Sequence, residues 1–226
     1  MTSDHPQSQR IDSVIFDCDS TLSSIEGVDE LAERAGVGDD IRTLTKASME
    51  GDVNLEDVYG KRLELIRPNT DDLAWLGLRY VEAIVDGAGH AIATIQVTGR
   101  AVYIVSGGIL QALHVLAREL KVPQSHVFGV AVHLSEDGSY AGYDTDAPTA
   151  HSGGKTEIIR GIIANGRRAV MIGDGVTDLE AQRLGVPVIG FGGVVTRPAV
   201  KAQADAWVDG PSLLGVLAVI EALEMS

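Results

Sequence analysis

The chain has 226 residues, 45% of them hydrophobic and 22% charged, the balance of a soluble, well-packed protein of one large domain or a core with a smaller insertion. Its 32 acidic residues against 18 basic ones give a formal net charge of −14. That excess argues against nucleic acid or an anionic membrane as the main partner, since both ask for a basic face, and leaves open a small anionic substrate met by local cations and a metal.

Residues 1–12 are polar, lack the apolar core of a signal peptide and read as a disordered tail. No stretch anywhere reaches the roughly 18 consecutive apolar residues of a membrane span. A buried strand is expected at 13–16, ending in Asp17-Cys18-Asp19-Ser20-Thr21. Side chains on a strand repeat every second residue, so the carboxylates of Asp17 and Asp19 can leave the strand end on one side. Two readings fit that pair alone. Like charges so close repel, and a divalent cation such as Mg²⁺ removes the conflict; or the segment is a polar turn capping a helix. Cys18, the single cysteine, reads as a small core residue; one thiol excludes an intrachain disulfide and fits a reducing cytosol.

Residues 24–84 hold about four helices and no convincing strand. Val28, Leu31, Ala32 and Ala35 share one helical face; Leu63 and Ile66 belong to another helix, with a start at Asn54 and Asp57 three residues on; Asn69 and Thr70 read as an N-cap. A helical block inserted after the first strand reads as a lid over the strand ends. Further strands are expected at 101–105, 168–172 and 187–191, with a weaker one at 206–208, and helices at 110–120 and 155–163. Such alternation implies a parallel sheet with helices on both faces, whose ligand sits outside the carboxyl ends of the strands. Residues 127–143 read as a β-hairpin with Asp137-Gly138 at its turn.

Three more motifs lie at strand or helix ends. Ser106-Gly107-Gly108 follows the second strand, where a hydroxyl and glycine N–H groups at a helix start suit an anion; in isolation a plain strand-to-helix turn serves as well. Ser152-Gly153-Gly154-Lys155-Thr156 is not a P-loop, because Thr149 occupies the position of the required first glycine and no strand leads in. It leaves Lys155 at a helix start, either solvated or offsetting a phosphoryl charge. Gly173-Asp174-Gly175-Val176-Thr177-Asp178 ends the next strand with a third carboxylate and a fourth at a helix start. With Asp17 and Asp19 elsewhere, metal binding is the stronger reading of these acids.

Asp-x-Asp-x-Thr, Ser-Gly-Gly, Lys and Gly-Asp-Gly-x-x-Asp, in that order, resemble the haloacid dehalogenase-like phosphohydrolases. The closer resemblance, from about 14 to 223, is to the phosphoserine phosphatase branch, through Glu26-Gly27-Val28-Asp29-Glu30-Leu31, Tyr140-Ala141-Gly142-Tyr143-Asp144, 172–181 and Ile189-Gly190-Phe191-Gly192-Gly193. It implies an α/β fold: a Rossmann-like core at 13–23 and 87–226, a helical cap at 24–86 and the hairpin as a small appendage. It implies Mg²⁺-dependent hydrolysis of O-phospho-L-serine, the last step of serine biosynthesis; a phosphatase or phosphotransferase acting on another small phosphate, such as phosphohomoserine, is the alternative. Asp17 is then the nucleophile that forms an aspartyl-phosphate, and Asp19 the acid and then the base. Mg²⁺ falls to Asp17, the carbonyl of Asp19 and Asp174, with Asp178 supporting. Ser106, Gly107 and Lys155 hold the phosphoryl oxygens, and Thr177 is a further contact. Glu26 meets the substrate amine, Arg62 its carboxylate, and Met49 lines the pocket.

Departures from the branch are Leu55 for a pocket aromatic, Val194 for an Asn, and Asp86-Gly87-Ala88-Gly89 for Pro-Gly before a helix at 90–97 whose β-branched residues suit a helix poorly. A small phosphomonoester is the expected partner, with neither nucleic acid nor membrane, in the cytoplasm; a homodimer is compatible with this reading.

Overall fold

The computed structural model describes residues 10–49 and 55–225, with the side chains of 45–57 left out. Strand β1 (Ser13–Phe16) is followed by helices α1 (Gly27–Ala35), α2 (Gly38–Met49), α3 (Leu55–Ile66), α4 (Thr70–Glu82) and α5 (Ala88–Val97). Then come β2 (Ala101–Ile109), α6 (Leu110–Glu119), β3 (Val127–Val130), β4 (Val132–Leu134), β5 (Tyr140–Tyr143) and α7 (Gly154–Ile162). The chain finishes with β6 (Ala169–Gly173), β7 (Val188–Phe191), α8 (Pro198–Gln203), β8 (Ala206–Val208) and α9 (Gly215–Met225).

Six strands form one parallel sheet in the order β3-β2-β1-β6-β7-β8. Both faces are buried, and that is why the strands read as continuous apolar runs. Val14, Phe16, Ile104, Ile172 and Phe191 pack with α5, α6 and α9 on one face, while Ile15, Val105, Met171 and Val188 pack with α7 on the other. No helix among the described residues is long and apolar enough to cross a membrane.

Local chemistry explains several boundaries. Asn69 caps α4 by accepting from the Asp72 N–H at 3.0 Å, and Asp72 returns the bond to the Asn69 N–H at 3.1 Å, a reciprocal box that satisfies two orphan donors. Leu73, Leu76, Gly77 and Tyr80 form the buried stripe of α4, and bare Gly77 lets the helix come close to Val115 of α6.

The structure corrects three expectations and bears out a fourth against local propensity. The hairpin is only β4–β5, while Val127–Val130 of the expected 127–143 unit is the sheet's edge strand, paired in parallel with β2; the partner that decides this lies far away in sequence. β2 runs on to Ile109, so Ser106-Gly107-Gly108 lies inside an extended strand, across a register shift between Val105 and Ile109, and the helix begins only at Leu110. The expected helix at 90–97 is present as α5 despite its poor propensity, because Ala88, Ala91, Ile92 and Ile95 are buried at helical spacing and tertiary packing overrides propensity. Of the expected tail, residues 10–12 are packed: Ile11 is buried and its N–H donates to Glu224 Oε1 at 2.7 Å. The rest of that tail, Asn54, and the side chains of Met49, Leu55 and Asp57 lie outside the described residues.

Asn69→Ala is expected to lower unfolding free energy by about 1 kcal/mol, the usual worth of an N-cap, read as a shifted urea midpoint with unchanged slope.

Candidate active site

The Asp17 N–H donates to the Ile172 carbonyl at 2.9 Å, so the ladder continues one step past β1 and sets Asp17 beside the end of β6. Lys155, the first residue after the opening glycine of α7, is buried and reaches both sides: its Nζ lies 2.8 Å from Asp17 Oδ2 and 2.6 Å from Asp178 Oδ1. The solvated alternative for this lysine is excluded. Asp17 Oδ1 accepts the Cys18 N–H at 2.7 Å. Asp178 is wholly buried beneath Gly173, where a Cβ would stand 2.1 Å from its Oδ2, and that oxygen also accepts the Gly175 N–H at 2.9 Å. Asp174 accepts from the Thr21 hydroxyl at 3.2 Å and from Arg197 Nε at 2.9 Å. The same Arg197 lies 3.6 Å from Glu26.

Asp19 sits apart from that cluster. Its Oδ1 accepts the Tyr80 hydroxyl at 2.6 Å and the N–H of Gly27, the first residue of α1, at 3.2 Å. Glu26 accepts the Ser20 hydroxyl at 2.7 Å. Ser106 is buried, with its Oγ accepting the Gly108 N–H at 3.1 Å, and the Gly107 carbonyl accepts the Tyr59 hydroxyl of α3 at 2.9 Å. Arg62 pairs through Nη2 with Asp29 at 2.8 Å, while its Nε is buried without a partner among the described residues. Thr177 stands half-buried on the loop between Asp174 and Asp178.

The electrostatics follow from this crowding. Burial, reinforced by the Glu26 charge, pushes Asp19 up to about 8. Burial also pushes Asp178 up to about 7 against the pull of Lys155, and raises Asp174 with help from Asp17. For Lys155 burial acts downward, yet Asp17 and Asp178 outweigh it and hold the ammonium raised. The Cys18 thiol is raised by burial and then by Asp19 and Asp17, which keeps it neutral and inert. One oxygen from each of Asp17, Asp174 and Asp178 lies within 4.8 Å of the others. An all-oxygen, buried donor set carrying more negative charge than Lys155 and Arg197 cancel suits a hard divalent cation.

Thr21, Tyr59, Tyr80 and Arg197 were not singled out by sequence. Tyr80 falls on the apolar stripe of α4, where an aromatic reads as core, and Arg197 precedes Pro198 at a helix start with no spacing that ties it to Asp174. Thr21 was visible as part of Asp-x-Asp-x-Thr without a role of its own.

Residues 11–183 match the family model of haloacid dehalogenase-like hydrolases. The chain belongs to that family. Among other members, it is 35% identical over 209 residues to a phosphoserine phosphatase of Bos taurus, covering 91% of this chain and 93% of the relative. It is 27% identical over 212 residues to one of Methanocaldococcus jannaschii, covering 92% and 97%. A solved structure of a phospho-aspartyl intermediate analogue of phosphoserine phosphatase superposes with a TM-score of 0.78 at 26% identity, over 93% of this chain and 99% of that one.

For this hydrolase, a divalent cation at one hundred times its Kd is expected to stabilise the fold by about 2.7 kcal/mol. Calorimetry with Mg²⁺ or Mn²⁺ should show a rise in Tm that Asp174→Ala largely removes.

Proposed function

We propose that the chain is a Mg²⁺-dependent phosphomonoesterase that hydrolyses O-phospho-L-serine to L-serine and phosphate, closing serine biosynthesis. The observation that carries the reading is the contrast between two aspartates on one strand end: Asp17 lies against the Lys155 ammonium and a backbone N–H, whereas Asp19 is held high by burial. Two carboxyls placed in such different surroundings divide into nucleophile and acid.

Asp17 attacks phosphorus, forming an aspartyl-phosphate, while Asp19 gives its proton to the departing seryl oxygen, a poor leaving group as a bare alkoxide. Asp19 then takes a proton from the water that attacks phosphorus and releases Asp17. Ser106, Gly107 and Lys155 hold the phosphoryl oxygens, with Thr177 as a further contact. Asp17, the Asp19 carbonyl, Asp174 and Asp178 would hold Mg²⁺, which neutralises charge on the transferring group.

Glu26 meets the substrate amine and Arg62 its carboxylate. The buried, unpartnered Nε of Arg62 supports that assignment, since a guanidinium edge without an acceptor is costly and a carboxylate fills it in a fork. Met49 is assigned to the pocket wall. Residues 24–86 form the cap, with α1 to α3 as its lid part; the Tyr59 bond to Gly107 joins that lid to the phosphate-holding end of β2. The reading includes a cytoplasmic location, which one free, buried cysteine suits.

The test is phosphate release from a panel of small esters, among them phosphohomoserine. Phosphoserine should lead the panel, with Asp17→Asn and EDTA each abolishing turnover; another leading ester with the same dependences would overturn the substrate assignment. Arg62→Ala is expected to raise KM for phosphoserine about tenfold or more, the loss of one charge-assisted fork, and to leave O-phosphoethanolamine, which lacks the carboxylate, within about twofold.

A further inference from the structure

We propose that Tyr80 is a positioning residue for the reaction: it fixes which oxygen of Asp19 carries the shuttled proton. The inference rests on the assignment of Asp19 as acid and base.

A carboxyl oxygen offers two lone pairs, and on Asp19 both lone pairs of Oδ1 are taken, by the Tyr80 hydroxyl at 2.6 Å and by the Gly27 N–H at 3.2 Å. A neutral carboxyl so bound keeps Oδ1 as its carbonyl oxygen, so the proton resides on Oδ2. The Tyr80 hydroxyl faces an oxygen that can only accept from it, so it stays a donor. In the first half-reaction the Oδ2 proton moves to the seryl oxygen as the P–O bond breaks and the Asp17–phosphorus bond forms. In the second, the proton of water returns to Oδ2 as its oxygen bonds to phosphorus and the Asp17 bond breaks. Tyr80 keeps its own proton throughout.

Three features show that the hydroxyl is held in place for this contact. Tyr80 is fully buried on the stripe of α4 that packs on α6. Gly27 makes room for it, since a Cβ there would stand 1.9 Å from Tyr80 Oη, and a Cβ on Gly108 would stand 3.1 Å from it. A buried tyrosine needs some partner for its O–H, so a purely structural bond is the competing account, and leaving-group dependence separates the two. A phenolate leaves without a proton; an alkoxide does not.

The experiment compares kcat/KM for phosphoserine and for p-nitrophenyl phosphate in the parent, Tyr80→Phe and Asp19→Asn enzymes, with melting curves for each. Tyr80→Phe, which keeps the ring, should lower the phosphoserine value about tenfold or more, with KM little changed and the p-nitrophenyl value within about threefold. Gly27→Ala, which displaces the hydroxyl while leaving Tyr80 present, should reproduce the same ester-selective loss, and it serves if Tyr80→Phe folds poorly. Equal losses on both esters, or none, overturn the role of Tyr80. If instead Asp19→Asn retains phosphoserine turnover, the acid assignment itself is wrong.

Discussion

A buried lysine clasped by two buried aspartates is the interaction on which the rest of this molecule is arranged. Each of these charges would be costly to bury alone, and the attraction repays the cost only where geometry is close and the other oxygens are bonded. Lys155 meets that condition at 2.8 Å and 2.6 Å from Asp17 and Asp178, with backbone N–H groups on the remaining oxygens. Gly173 stays bare so that Asp178 can lie over the end of β6. The ammonium cancels only part of the charge present, so Asp174 draws in Arg197, and burial, with Asp17 close by, pushes Asp174 and Asp178 upward. A centre this rich in buried carboxyl oxygens suits a compact divalent ion.

The sheet supplies the stage. Parallel strands bring their carboxyl ends to one edge, and β1, β2 and β6 are adjacent there. Asp17 and Asp174 therefore stand at the ends of neighbouring strands. The helices between β1 and β2 supply what a strand end cannot: Arg62 with an open Nε, Tyr59 reaching to the Gly107 carbonyl, and Tyr80 reaching to Asp19.

Sequence reasoning reached the parts whose signal is local. An apolar run that stops at an aspartate marks a strand end, and Asp17 and Asp174, each at such an end, come together with Asp178. Lys155 was legible only through its company, because a lysine at a helix start is ordinarily solvated. What escaped was decided by distant partners. Val127–Val130 is an edge strand because β2 offers it a ladder. Ser106 and its glycines stay extended because β2 continues past them. Arg197 and Tyr80 act through single polar atoms whose targets lie far off in sequence, and no periodicity encodes such a contact.

The wide separation of the partners has a consequence during synthesis. Thr21 bonds to an aspartate 153 residues further along, and β1 is central in the sheet while its neighbour β6 comes late in the chain. A growing polypeptide thus carries Asp17 long before Lys155 exists to pair with it, and Thr21 long before Asp174. Until β6 slots in beside β1, Asp17 lacks the bond from its N–H to Ile172, and the first strand lacks one of its two flanking ladders. Non-local pairing of this kind is slow to form. The cluster around Lys155 is therefore assembled late, when β6 joins β1, with β7 and β8 still to add to the sheet.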